Sequence, residues 1–496
     1  MNEPRVRDSL KPSKRKEPRS AHPGGEPQSP KPLAAEGPIA SPGGDGAGGD
    51  GSSGGAVSGQ EGAVGRGAAD RILSRMEGKE SLTAADLTGA TAGEAPPSCK
   101  PILRKVYKFE GSQAVRAAGL YPYFRCIQSC QNPEVTIEGR TFIMMGSNNY
   151  LGLVSEPRVI EAARAAALRY GTGCAGSRLL NGTLDIHQEL ERRLAAFVRK
   201  EAALLYSTGY QSNLGAIATL AGRDNDVVLD RRNHASIVDA VTLSRARSHR
   251  FHHNDMENLE RVLSGLDPEK GIFVVVDGVF SMEGDIVKLP QVVELCRRSN
   301  AVLMVDDAHG LGVLGEGGRG TCQHFGLTDQ VELIMGTFSK SLASIGGFVA
   351  SDTRTIDYLR HHSRAMIFSA SMPPASVASV LKALELIETE PERIDRLWKN
   401  TEFMQRGLTS AGFDIGQSET PIIPVKVRDD ILSFKMCMAL HDEGVFVNPV
   451  PGLSVEPGNA LIRLSVMATH EIRHMERALE KIEKVGRKLG IISASA

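Results

Sequence analysis

IFVVVDGVFSMEGDIVKLPQVVELCRRSNAVLMVDDAH, residues 272–309, is the stretch that decides the fold class. Its two ends, IFVVVDG and AVLMVDDAH, are apolar runs rich in β-branched residues, and LPQVVELCRRSN between them has the apolar spacing of a helix. Strand, helix and strand in that order form a βαβ unit with parallel strands. Neither strand alternates apolar with polar residues, so helices are expected on both faces of the sheet. Ligands of such sheets bind beyond the carboxyl ends of the strands. Here those ends carry Ser281 on one strand and Asp306 with His309 on the other.

The alternation extends outward from this unit. DIHQELERRLAAFVRK sets Ile186, Leu190, Leu194 and Phe197 at helical spacing, AALLYS follows as a short strand, and QSNLGAIATLAG resumes a helix. Downstream, ELIMGTF is a further apolar strand, and Pro373 to about Ala411 is mostly helical. IIPVKV, VFVNPV and ALIRLSV then precede the charged helix THEIRHMERALEKIEKVGRKLG. This predicts a large α/β domain over 156–390 with a mainly parallel sheet covered by helices, after an N-terminal segment over 101–155. A smaller α+β domain over 391–496 follows. Residues 1–100 are rich in Gly, Pro, Ser and charge and are expected to stay disordered, for lack of apolar surface to bury. Within that tail, KPSKRKEPR reads either as a solvated charge run or as a peripheral contact for an anionic membrane surface. ADRILSRMEGKESLTAADL has the pattern of a short amphipathic docking helix.

Composition narrows the function. Lys+Arg 58 against Asp+Glu 59 leaves a formal net charge of -1, without the electrostatic footprint of a general nucleic-acid binder. The 7 cysteines are scattered and form no CxxC pair, which argues against a disulfide framework and against a zinc site and fits a reducing cytoplasm. No run approaches the roughly 20 apolar residues that span a bilayer, and the N-terminus has no secretory apolar core. Gly310, Gly312 and Gly315 satisfy GxGxxG, but they run into EGGRGT, which opens a helix badly, so a nicotinamide dehydrogenase is set aside.

Several strand ends carry groups with chemical capacity. Lys340 stands in MGTFSKSLASIGGF, residues 335–348, between two apolar runs, with Thr337 and Ser339 beside it and no counter-ion near in sequence. Read alone it fits a surface lysine better than a chemical one. Asp306 closes a buried strand, where a carboxylate needs a cationic partner or serves as a cap. STGY, residues 207–210, begins a helix and offers hydroxyls and backbone N–H groups, equally suited to an ordinary cap and to a phosphate. His234 follows the strand VVLDRR. Taken together, an anion seat at Gly209, a buried aspartate, an imidazole able to stack and a lysine are the parts that hold pyridoxal phosphate.

NHASIVDAV, DGVFSMEGDI, MVDDAHGLGVLGEGGRG and GTFSKS, in that order, resemble the α-oxoamine synthase family of fold-type I, aspartate aminotransferase-like, pyridoxal phosphate enzymes. SNNYLGL, GTGCAGSRLLNGT and FSASMPPA resemble it too, so the likeness runs from about Gly119 onward. That family joins an amino acid to an acyl-CoA with loss of carbon dioxide. The resemblance implies that Lys340 holds the cofactor and moves the α-proton, and that Asp306 pairs the ring nitrogen. It implies further that His234 stacks on the ring and meets the substrate carboxylate, while His309 bonds the phenolic oxygen and Ser281 lies beside the ring. Gly209, Tyr210, Thr337 and Ser339 would complete the phosphate and ring-edge seat, and Arg463 would receive a carboxylate. The family is dimeric, which implies a homodimer in which Asn148, a substrate contact, and Ser369 serve the partner's site.

YPYFRCIQSCQNPEVTIEGRTFIMMGSNNYLGL and GTFSKSLASIGGFVASD are most similar to bacterial members that condense serine with palmitoyl-CoA to give 3-ketodihydrosphingosine, the entry to sphingolipid synthesis. The loop before Arg463 reads PVPGLSVEPGNA where those members carry a PATP-like segment. Glycine or alanine as amino acid, as in 2-amino-3-ketobutyrate CoA ligase or 8-amino-7-oxononanoate synthase, therefore stays as the alternative. A non-catalytic partner subunit is the alternative of another class, against which stand Lys340, Asp306 and His234. Acyl length and a carrier-protein donor are left open.

Overall fold

The computed structural model describes residues 98–493 apart from 108, 110 and 453–457. Residues 1–97 of the expected disordered tail, with its basic start and its amphipathic helix, lie outside the described residues, as does part of the loop before Arg463. Strands β1 (Glu134–Ile137) and β2 (Arg140–Met144) form an antiparallel hairpin that the sequence reading did not single out.

The main sheet is built from β3 (Ala202–Tyr206), β4 (Asp226–Asp230), β5 (Arg247–Phe251), β6 (Ile272–Asp277), β7 (Ala301–Asp306), β8 (Leu333–Thr337) and β9 (Gly347–Ser351). Its 7 strands stand in the order β3-β9-β8-β7-β6-β4-β5. All run parallel except β9, which is antiparallel to both of its neighbours. A parallel crossover needs about a dozen residues or more, and the short 338–346 link cannot supply it.

Apolar strands covered on both faces are what the sequence requires, and the packing shows it. Val274, Val276, Leu303 and Val305 point into one core with Leu190 and Leu194 of the helix Asp185–Phe197 and Val377 and Leu384 of the helix Pro374–Thr389. Phe273, Val275 and Met304 point into the opposite core with Ile217 of the helix Gly209–Leu220 and Ile237 of the helix Ala235–Ser244. Each such buried side chain contributes about 1.5–3 kcal/mol relative to exposure.

A third core lies around a small antiparallel sheet of β10 (Ile422–Lys426), β12 (Asn448–Val450) and β13 (Leu461–Ser465). The helices Asp430–Asp442 and Ile472–Lys488 cover it through Met436, Leu440, Met475 and Ile482. β11 (Val445–Phe446) pairs with β2 in parallel, which ties the N-terminal hairpin to the C-terminal core. Ile143 and Met145 belong to that core, while Tyr150, Leu151 and Leu153 belong to the core of the large sheet. The segment between them thereby carries Asn148 across the boundary of the two cores.

Candidate active site

Because β3, β4, β6, β7 and β8 are parallel, their carboxyl ends meet along one edge, and the chemistry-bearing residues follow directly from those ends. A cavity of about 350 Å³ opens there. Gly209, Tyr210, His234, Ser281, Asp306, His309, Thr337, Ser339 and Lys340 all line it, so residues scattered over 132 positions of sequence, from 209 to 340, converge. Arg463 adjoins the cavity through Ser281, and Asn148 through Arg463, rather than lining it.

Asp306 ends β7 and is 4% exposed. Its Oδ2 accepts from Asn213 Nδ2 at 2.7 Å and its Oδ1 from the backbone N–H of Ala308 at 3.1 Å. These donors offset the desolvation of the carboxylate. Asn213 Oδ1 is buried and has no hydrogen-bond partner among the described residues. A carboxylate and an orphaned acceptor on one cavity wall suit a protonated ring nitrogen.

Lys340 stands in the tight turn after β8, where the backbone N–H of Ala343 bonds the Lys340 carbonyl at 3.1 Å. It is part-buried in the chain. Burial is the main force that lowers its amine to about 8, with Arg463 acting in the same direction and Asp306 and Asp277 opposing. An amine at that value is neutral often enough near pH 7 to act as a nucleophile and base.

The anion seat arises from glycine. The helix Gly209–Leu220 is capped by Thr208, whose side chain accepts from the backbone N–H of Gln211 at 3.1 Å, while the N–H of Ser212 bonds the Thr208 carbonyl. The amides of Gly209 and Tyr210 remain at the open first turn, where a phosphate is favoured. A Cβ on Gly209 would come within 2.6 Å of Thr337 Oγ1, so only glycine lets the helix end approach β8. Gly347 meets the same limit, since its Cβ would lie 2.8 Å from Gly209 Cα. Thr337 and Ser339 hydroxyls lie 3.1 Å apart at this seat. Tyr210 is exposed at the rim and donates to Asp239.

His234 caps the helix Ala235–Ser244. Its backbone N–H donates to Asp277 Oδ2 at 2.9 Å. Burial, and then the charge of Asp306, raise Asp277 well above the usual carboxylate range. His309 is held well below the usual histidine range by burial first and then by Lys340, Arg463 and His234, so it is a neutral imidazole. Its Nδ1 lies 2.8 Å from the Tyr150 hydroxyl.

Arg463, on β13, is 7% exposed and held on three sides. Its guanidinium donates to the Ser281 carbonyl at 2.6 Å, to Ser465 Oγ at 2.8 Å and to Asn148 Oδ1 at 3.0 Å. Asn148 thus orients the guanidinium of Arg463 within its own chain. Ser369 accepts from Gln211 Nε2 at 3.0 Å, beside the anion seat of its own chain.

The sequence reading missed Asp277, Asn213, Ser236 and Tyr150. Asp277 carried a signal, since it ends an apolar strand as Asp306 does. The other three sit inside a helix or a loop with nothing local to mark them.

The fold and this cavity define a fold-type I transferase, and the chain belongs to the aminotransferase class I and II family, whose sequence model matches residues 140–482. It is 53% identical over 389 residues to a serine palmitoyltransferase of Sphingobacterium spiritivorum, covering 78% of this chain and 98% of that protein. An 8-amino-7-oxononanoate synthase of Symbiobacterium thermophilum is 44% identical over 384 residues, covering 77% of this chain and 98% of that one. Among solved structures, a high-resolution serine palmitoyltransferase with pyridoxal phosphate superposes with a TM-score of 0.75 at 36% identity, covering 77% of this chain and 96% of that chain.

Proposed function

We propose that the protein is a pyridoxal phosphate-dependent C-acyltransferase that condenses L-serine with a long-chain acyl-CoA, palmitoyl-CoA, releasing carbon dioxide and free CoA. The product is 3-ketodihydrosphingosine, and the reaction opens sphingolipid synthesis. The observation that carries this reading is Lys340 with its amine lowered to about 8, in one cavity with Asp306 and the open helix end at Gly209. The identity to serine palmitoyltransferases over nearly their full length supports the choice of substrates.

The cavity fits the cofactor: the amides of Gly209 and Tyr210 with Thr337 and Ser339 would hold the phosphate, and Asp306 the ring nitrogen. When bound, pyridoxal phosphate supplies an electron sink for the carbanion left on the amino acid. Lys340 anchors the cofactor and then takes the α-proton at Nζ. Neutral His309 would donate to the phenolic oxygen, and Ser281 and His234, which line the same cavity, would help hold the ring. Arg463, with Asn148 orienting its fork, receives a carboxylate, for which a planar guanidinium is suited.

The organisation that goes with this reading is a cofactor-binding domain over 156–390, a small domain over 391–496 and a segment over 101–155 bridging them. A homodimer is part of this reading, supported by the exposed apolar side chains around the cavity mouth and beyond it, Tyr210, Ile345, Phe368 and Leu180, which a second copy would cover. No helix among the described residues is long and apolar enough to cross a membrane, and all 7 cysteines are free, which supports action in the cytoplasm with at most peripheral membrane contact.

The deciding experiment gives the purified protein palmitoyl-CoA and an equal mixture of serine, glycine and alanine. A serine-derived long-chain ketone in the mass spectrum supports the reading. A dominant alanine or glycine product moves the protein to the branch of the 8-amino-7-oxononanoate synthases and their relatives.

A further inference from the structure

Two side chains of the cavity wall have no part in the chemistry above, yet are almost wholly buried: Asn213 is 1% and Ser236 0% exposed. Asn213 Nδ2 donates to Asp306 Oδ2 at 2.7 Å and to Ser236 Oγ at 2.8 Å. An amide nitrogen carries a proton for each of these acceptors, and the reversed amide would set its oxygen against the Asp306 carboxylate. The orientation is therefore dictated by Asp306.

Ser236 Oγ in turn lies 2.7 Å from His234 Nδ1. With a lone pair of Oγ occupied by Asn213, the serine proton is directed to Nδ1. The backbone N–H of Ser236 faces the same nitrogen at 3.3 Å. Nδ1 is an acceptor on both counts, so the ring carries its proton on Nε2. His234 itself lines the cavity, and its main chain is fixed by Asp277.

We propose that Asn213 and Ser236 are positioning residues for the condensation: as one hydrogen-bonded relay from Asp306 to His234, they orient the carboxylate and hold the imidazole with its proton on Nε2. His234 can then donate to the carboxylate of the incoming amino acid, and the group that senses the cofactor ring sets the tautomer of the group that meets the substrate. The relay rests on the pyridoxal phosphate reading of the cavity.

The test uses the cofactor-loaded protein and reads the visible band of the bound cofactor, its change on titration with serine, and the melting temperature. Ser236→Ala removes the hydroxyl and Ser236→Thr keeps it. The expected result is an apparent Kd for serine raised about five- to tenfold in Ser236→Ala, with an unchanged cofactor band and recovery in Ser236→Thr. Asn213→Ala should show the same serine deficit together with a cofactor affinity lowered about tenfold, and adding Ser236→Ala to it should leave the serine Kd where it is. A serine Kd within about twofold of wild type in Ser236→Ala, an effect confined to melting temperature, or additive effects of the two substitutions would overturn the relay. If Asn213→Ala does not fold, the Ser236 pair decides alone. A wild-type protein that takes no colour overturns the cofactor reading and the relay with it, whereas a coloured wild type with unaffected variants overturns the relay only.

Discussion

Asp277 and Asp306 are register partners on the adjacent parallel strands β6 and β7, so two buried carboxylates end side by side in the cavity that holds Lys340. Two such groups do not both ionise readily in a desolvated site. Asp277 is the one pushed upward, by burial and by its neighbour, and its carboxyl is engaged by the backbone of His234. Asp306 is engaged instead by the amide of Asn213, which donates to its Oδ2 at 2.7 Å, and it is the group proposed to meet the ring nitrogen.

The Lys340 amine is lowered to about 8, and only its neutral form attacks a carbonyl. Uptake of pyridoxal phosphate by cofactor-free protein should therefore accelerate with pH and level off above about 8, followed as growth of the visible band. Asp306 raises the Lys340 value, so Asp306→Ala should move this midpoint down. Lys340→Ala should remain colourless at every pH and lose turnover by at least about a thousandfold; retained colour with retained turnover would contradict the assignment.

Asp307, next to the catalytic strand end, bonds the hydroxyl and backbone N–H of Thr321. Burial raises its carboxyl to about 7, against the Thr321 bonds and with a small push from Asp306. The folded state thus holds a proton that the unfolded chain releases near the ordinary value of 3.8. Its contribution to stability is complete below about 4 and is lost as pH rises towards about 7, a slope worth at most about 4 kcal/mol over three units. Asp307→Asn should flatten that part of the pH profile in urea unfolding, and an unchanged slope would place the titration elsewhere.

Gly209→Ala should spoil the anion seat without touching Lys340. The added Cβ would lie 2.6 Å from Thr337 Oγ1, so the helix end must retreat from β8. Losing one or two charge-assisted hydrogen bonds predicts a pyridoxal phosphate Kd raised about tenfold to a hundredfold, measured by equilibrium dialysis. Equal affinity in variant and wild type would show that the phosphate lies elsewhere.

Arg463→Lys keeps the charge and loses the planar fork that Ser281, Ser465 and Asn148 hold in place. The KM for serine should rise about tenfold or more while the cofactor band stays where it is. A shifted band with unchanged KM would assign Arg463 to the cofactor instead of the substrate.

The amino-acid sequence by itself determined the layered α/β architecture, because apolar strand runs and helical spacing are local patterns that report which face is buried. It also determined which strand ends carry Lys340, Asp306, His234 and the STGY turn, because in a parallel sheet those ends share one edge whatever the order of the strands. Tertiary structure alone decided the rest. The reversal of β9, the pairing of β2 with β11 and the meeting of Asn148 with Arg463 join segments far apart in the chain or depend on strand direction, and no local period encodes either. Asn213 and Ser236 look like ordinary helix residues in the sequence. Their meaning comes only from burial, which leaves a polar group no water to turn to and so makes its few protein partners decisive.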